Sequence, residues 1–154
     1  MELVCQGMIP AVAGERLAAF CDVFCDREAF TPEQASRVLQ AGKAWSLAPK
    51  IRADKFSNQG GAELAVRMGT ASADHLLWVS EAGIVSLAGS DTVAVLLPGT
   101  ALFLGLPFAP ARRMIEAGVA VVLGADDYRD LMMAFGTNLV ACVVKAGRVG
   151  TGAR

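Results

Sequence analysis

Val93-Ala94-Val95-Leu96-Leu97, cut off at once by Pro98-Gly99, is the stretch from which the fold is read. Five consecutive apolar residues suit a strand of a parallel sheet, whose helical crossovers cover its faces. Val119 to Leu123 (VAVVL) repeats the pattern. Between these runs, Pro110 to Ala117 reads as a helix stopped by Gly118. Upstream, Ser80-Glu81 opens a helix through Ile84 and Leu87, and a short strand lies at Ala73 to Leu76. Gly60-Gly61 leads into a helix through Glu63, Leu64 and Met68, with Gly69 as its C′ residue. Lys50 to Asp54 is a strand, separated by Leu47-Ala48-Pro49 from a helix with Ala35, Val38, Leu39 and Trp45 on its apolar face. Thr31-Pro32-Glu33-Gln34 starts that helix: Thr31 caps it, Pro32 fits the first turn, and Gln34 completes a capping box. Ala18 to Cys25 (AAFCDVFC) is the first buried strand. Strands and helices alternate from residue 18 to 124, the mark of right-handed βαβ units.

After Asp126 the pattern changes. Asp127 to Phe135 reads as a short helix ended by Gly136. Leu139 to Lys145 and Arg148-Val149 read as two strands joined by a tight turn at Ala146-Gly147. The chain therefore divides into 1–126, an α/β unit, and 127–154, a helix and hairpin-like segment.

The 154 residues fit one core, and 54% are apolar or aromatic, which suits a helix-covered parallel sheet or a piece of a larger fold with core surface uncovered. Net charge is −1, and no run of Lys or Arg tracks phosphates, so nucleic-acid binding has no support. The longest apolar runs fall far short of a bilayer-spanning helix, and the N-terminus lacks a secretory leader, so a cytoplasmic protein is expected. Cys21 and Cys25 would stand about 13 Å apart on one face of a strand, too far for a disulfide. Together with Cys5 and Cys142 they are expected as buried, reduced thiols.

Lys50 to Phe56 (KIRADKF), Phe56 to Ala65 (FSNQGGAELA), Ser72 to Leu76 (SADHL), Val93 to Gly99 and Val119 to Asp126 (VAVVLGAD) follow one another in order. Together they resemble the second half of imidazolonepropionase, a metal-dependent amidohydrolase of histidine breakdown. Residues 1 to about 126 resemble the family from the helix before its fourth barrel strand through the eighth strand. Residues from about 127 onward resemble its extreme C-terminus. The resemblance implies a partial (β/α) TIM-barrel-like fold, or an open parallel sheet of about five strands with flanking helices, plus a short C-terminal β segment. It also implies hydrolytic ring opening of 4-imidazolone-5-propanoate with zinc or iron at the C-terminal strand ends.

Carried over residue by residue, the resemblance departs from the family where the chemistry lies. Arg52 stands where a histidine metal ligand is expected, and a guanidinium offers no lone pair. Lys55 stands where a proton-handling glutamate is expected. His75 matches the histidine beside the reactive water, and Asp126 the last metal-ligand aspartate. The family's initial His-x-His pair has no counterpart. The expectation is a truncated, degenerate relative with little or no activity alone and no stably bound metal. The alternative is a non-catalytic binding or inhibitory module on a half-barrel scaffold, with partners or a second copy at exposed sheet edges. A separate chain supplying the missing strands is a third reading.

Plainer roles stand beside each of these. His75 can be a hydrogen-bonded strand-end histidine. Arg52 and Lys55 can pair with Asp54 or Glu63 or form a solvated cationic edge, and Asp22 and Asp26 are near enough in the pattern to meet Arg52. With Lys50 the two cations would otherwise form an anion-binding mouth. Gly60-Gly61 lacks P-loop spacing, and Ser57, Ser72 and Ser80 lack a nucleophile-elbow setting. Trp45, Trp78 and Met132-Met133 read as packing residues.

Overall fold

In the computed structural model, residues 1–125 and the backbone of two further strands, Val143–Lys145 and Arg148–Gly150, are described. A π-helical turn, Leu3–Met8, runs into α1 (Ile9–Gly14). There follow β1 (Phe20–Cys25), α2 (Pro32–Ala44), β2 (Ala48–Ala53), α3 (Gly61–Arg67), β3 (Ser72–His75), α4 (Glu81–Ala88), β4 (Val93–Leu96), α5 (Pro98–Phe103), α6 (Ala111–Glu116) and β5 (Val121–Leu123). The strands β1 to β5 pair in sequence order and all in parallel, as expected from the alternation of strand and helix signals. Strands β6 (Val143–Lys145) and β7 (Arg148–Gly150) extend the same sheet in antiparallel fashion from β5. The helix expected at 127–135 lies outside the described residues, as do Asp126 and Cys142.

The helices pack on one face of the sheet rather than both. Cys21, Val23, Cys25, Ile51, Ala53, Ala73, Ala94, Leu96 and Val121 form the core with Val38 and Leu39 of α2, Leu64 and Ala65 of α3, Ile84 and Leu87 of α4 and Met114 of α6. On β1, β2 and β4 the alternate residues, Phe20, Asp22, Phe24, Lys50, Arg52, Val93 and Val95 among them, remain partly or fully exposed. The apolar runs thus bury every second side chain, the period-two pattern of a sheet with a single covered face.

Local chemistry explains most boundaries. The Thr31 hydroxyl accepts from Gln34 N at 3.3 Å while Gln34 Oε1 accepts from Thr31 N at 3.0 Å, the reciprocal cap read from the sequence. Gly69, at φ 58°, ends α3 with its N–H on Val66 O and that of Thr70 on Ala65 O, a Schellman pair that frees the chain for β3. Two boundaries differ from the expectation. Pro49 lies inside β2 instead of closing the preceding helix. Its carbonyl accepts from Ala71 N, just ahead of β3, so its missing N–H faces a side where no strand has yet begun. Pro98-Gly99 ends β4 but also opens α5, with proline in the first turn where no intrahelical donor is needed.

Helix α2 lies so close to β1 that a Cβ on Gly42 would stand 2.5 Å from Cys21 Cβ. Replacing Gly42→Ala forces helix and strand apart and should cost about 2 kcal/mol of stability, read as a lower urea midpoint at unchanged slope.

Candidate functional site

The parallel topology brings the ends of β1, β2 and β3 side by side, with Arg52 opposite Phe24 and Asp74, and Ala53 opposite Cys25 and His75. Arg52, Lys55 and His75 therefore occupy one rim, as the sequence pattern requires. Asp126, the expected metal-ligand remnant, lies outside the described residues.

Period two places Lys50 and Arg52 together on the uncovered face, beside Asp22 and Phe24 of β1 and Ser72 and Asp74 of β3. Arg52 Nε stands 2.8 Å from Asp22 Oδ2, although its N–H is not aimed at that oxygen, so the contact is an ion pair and not a hydrogen bond. The guanidinium also lies 5.5 Å from the centre of the Phe24 ring. Lys50 Nζ is 3.8 Å from Asp74 Oδ2, while Ser72 donates to Asp74 Oδ1 at 2.6 Å. Burial pushes the Asp74 carboxyl up, opposed by the Ser72 hydroxyl and by Lys50. Two cations thus meet two carboxylates in adjacent rows. The expected alternatives for Arg52, Asp54 and Glu63, are turned to other tasks.

Asp54 is fully buried at φ 50°, and its carboxylate accepts from Gln59 N, Gly61 N and Ala62 N at 3.0–3.2 Å. It thereby satisfies the first N–H groups of α3. Burial raises its pKa, against the pull of those three donors. The close approach depends on Gly61, where a Cβ would stand 2.5 Å from Ala53 Cβ. Gly61 is thus what lets β2 and α3 pack closely, while Gly60, at φ 70°, supplies the left-handed residue that caps α3. Glu63 accepts from the Ser80 hydroxyl at 2.8 Å and ties α3 to the start of α4.

Asp26, only 2% exposed, does not meet Arg52. It accepts from Arg27 N, Lys55 N, Phe56 N and Ser57 Oγ at 2.8–2.9 Å, so the end of β1 grips the loop that carries Lys55. Burial works to raise its pKa, but the bonds from Phe56, Arg27, Ser57 and Lys55 outweigh it and hold the carboxyl below its ordinary range. The Lys55 ammonium lies 5.4 Å from the centre of the Phe56 ring.

His75 is 2% exposed at φ 75°, followed by Leu76 at φ 56°. Two successive non-glycine residues in the left-handed region store conformational energy, held by Leu76 N on Ala53 O and Trp78 N on Asp54 O. Cys25, fully buried behind this rim, has its thiol pushed up to about 11 by burial and then by Asp54, Asp26 and Glu33, which favours the neutral thiol. Cys5, Cys21 and Cys25 are free thiols, with Cys5 only half-buried. Among the described residues, no group of three or more His, Cys, Asp or Glu side chains is placed to hold a metal ion.

The roles of Asp26, Asp54 and Asp74 are the part of the site that the motifs did not reveal. Asp22 and Asp74 sit at i+2 spacing from a face-sharing neighbour, a signal available in the strand pattern. The grip of Asp26 on residues 55–57 crosses two strands and has no local signature.

This rim belongs to a known class of fold. A triazine hydrolase variant superposes with TM-score 0.53 at 17% identity, covering 71% of this chain and 27% of that one. An adenosine deaminase from Xanthomonas campestris with bound zinc gives TM-score 0.53 at 19% identity, covering 72% of this chain and 27% of that one. These likenesses show the fold, an α/β arrangement of parallel strands and flanking helices that matches part of a (β/α) barrel. No protein-family model matches the chain. The imidazolonepropionase of Geobacillus kaustophilus (strain HTA426) is 54% identical over 126 residues, 82% of this chain and 30% of that enzyme. Those of Shouchella clausii (strain KSM-K16) and Deinococcus deserti are 53% and 50% identical, covering 82% and 80% of this chain and 28% and 31% of theirs. Over these residues the chain is an imidazolonepropionase homologue. It spans about 30% of the length of the curated relatives it matches. Among the described residues, no helix is long and apolar enough to cross a membrane.

The depressed pKa of Asp26 gives its contribution to stability a sign. Its folded-state value lies below the ordinary 3.8, so the contribution is fully present above that pH and is lost as pH falls through the folded value. Urea titrations across this range should show acid destabilisation in the wild type that Asp26→Asn flattens. At neutral pH, Asp26→Ala should cost about 3 kcal/mol, because it strands buried backbone donors.

Proposed function

We propose that this chain is an imidazolonepropionase-like polypeptide from which metal-dependent ring opening has been lost. The observation that carries the reading is Arg52, which by resemblance stands at a histidine ligand position and is engaged by Asp22 at 2.8 Å. A permanently protonated guanidinium donates no electron pair, and its charge opposes a divalent cation in the same space. The residues present at this position therefore do not fit the family's metal, and no hydrolytic step is routed through it. Lys55 deepens the mismatch by bringing an ammonium where the resemblance calls for a carboxylate. The intact parts of the rim, Asp26, Asp54 and His75, hold the loops without completing a ligand set.

The experiment is a ring-opening assay with 4-imidazolone-5-propanoate on purified protein in the presence of zinc, with and without chelator. No chelator-sensitive turnover is expected, and Arg52→His with Lys55→Glu should not create it. Zinc-dependent hydrolysis by the wild-type chain would overturn the reading.

A second reading, binding in place of catalysis, is supported by the outer edge of β1. Among the described residues, that strand pairs with β2 alone, and on its other side only the backbone of Phe30 bonds it, through Phe30 N on Phe24 O and the bridge at Cys25. An edge of this kind recruits another strand. Light scattering across a concentration series should report self-association that Phe20→Pro, which removes an outward N–H of β1, reduces; a protein that stays monomeric throughout contradicts this reading.

A further inference from the structure

Two of the free thiols meet on one helix. The Cys5 sulfur, in the π-helical turn Leu3–Met8, lies 3.9 Å from Arg37 O, and the Cys21 sulfur, in β1, lies 3.8 Å from Val38 O. These are consecutive carbonyls of α2, and one residue of helix separates neighbouring carbonyl oxygens by about 3.5 Å. Both sulfurs therefore gather at one spot on the α2 surface. Gly42 keeps that spot open, since a Cβ there would stand 2.8 Å from the Cys21 sulfur. Cys5 packs against the core to which Cys21 belongs. The Cys21 thiol is pushed up by burial first, then by Asp22 and by Cys5, so it feels charge on the other sulfur.

The two thiols differ in access. Cys5 is half-buried and Cys21 is 8% exposed, so an oxidant arriving from solvent reaches Cys5 first. Beside the pair, an apolar hollow of about 180 Å³, lined by Val4, Ile9, Phe20, Cys21 and Val38 among others, gives the turn room to close onto β1. Cys25 stands four residues along the strand from Cys21, beyond disulfide reach.

We propose that Cys5 and Cys21 form a reversible oxidation site, in which peroxide closes a disulfide between the N-terminal turn and β1. One peroxide oxygen passes to the Cys5 sulfur, giving a sulfenic acid and water. The Cys21 sulfur then displaces that hydroxyl, which leaves as a second water with the Cys21 thiol proton. Each sulfur gives up one electron, and the peroxide takes both. A dithiol reductant reverses the step by thiol–disulfide exchange.

The test treats the full chain with hydrogen peroxide, in buffer and separately in urea, and alkylates the remaining thiols. Digestion with trypsin and Asp-N, without reduction, then parts Cys21 from Cys25 by cleavage before Asp22. Mass spectrometry should find Met1–Arg16 joined to Leu17–Cys21 with the loss of two hydrogens, and dithiothreitol should separate them. The product should form about tenfold faster in buffer than in urea, because the fold holds the two thiols at high effective concentration. Cys5→Ser should abolish it and Cys25→Ala should leave it unchanged. A disulfide from Cys5 or Cys21 to Cys25, to Cys142 or to a second chain in its place would overturn the proposal. So would oxidation of Cys5 to the sulfinic acid without a cross-link, thiols that stay unreacted, or an equal rate in urea.

Discussion

A parallel sheet covered by helices on one face only sends every second strand residue to the other face, and this constraint shapes the molecule. On the covered face small residues predominate: Ala53, Ala73 and Ala94 are fully buried and let the helices lie close. On the uncovered face, residues opposite one another across β1, β2 and β3 have no choice of neighbour. Asp22 and Phe24 flank Lys50 and Arg52, which in turn flank Ser72 and Asp74. Neutrality is reached by pairing across strands, Arg52 with Asp22 and Lys50 with Asp74. Such partly exposed pairs contribute at most about 1 kcal/mol each, so their importance lies in where they hold charge more than in stability.

The buried carboxylates do a different job. Asp26 and Asp54 convert backbone N–H groups of the β2–α3 loop and the α3 start into satisfied donors, and so hold Lys55 on the rim. The left-handed turn at His75 and Leu76 is anchored to the same strand end through Ala53 O and Asp54 O. The loops at the ends of β1, β2 and β3 are therefore held by their own backbone network, whatever side chains stand at positions 52 and 55.

Much of this was legible in the residues. The capping box at Thr31 and Gln34, the C′ glycine at 69 and the apolar runs each report a local preference that tertiary contacts reinforce. Pro49 was misread because proline's effect depends on which way a missing N–H points, which neighbours remote in sequence decide; Pro98 ends β4 as read, but the helix it opens was not foreseen. The single covered face was visible in principle at β2, where Lys50 and Arg52 alternate with Ile51 and Ala53. The valine-rich β4 hides it, because both faces carry apolar side chains. Positive φ at Asp54, His75 and Leu76 had no glycine to announce it. The grip of Asp26 on a loop 29–31 residues away is a property of the folded rim alone.

The central claim is that Arg52 stays paired with Asp22 and leaves no room for a cation at its strand end. Crystals soaked in zinc and measured on both sides of the zinc absorption edge test it most directly. The account predicts an undisturbed Arg52–Asp22 pair and no anomalous peak at the ends of β2 and β3. A fully occupied zinc bound there by three side chains of this polypeptide, with Arg52 swung aside, would contradict it.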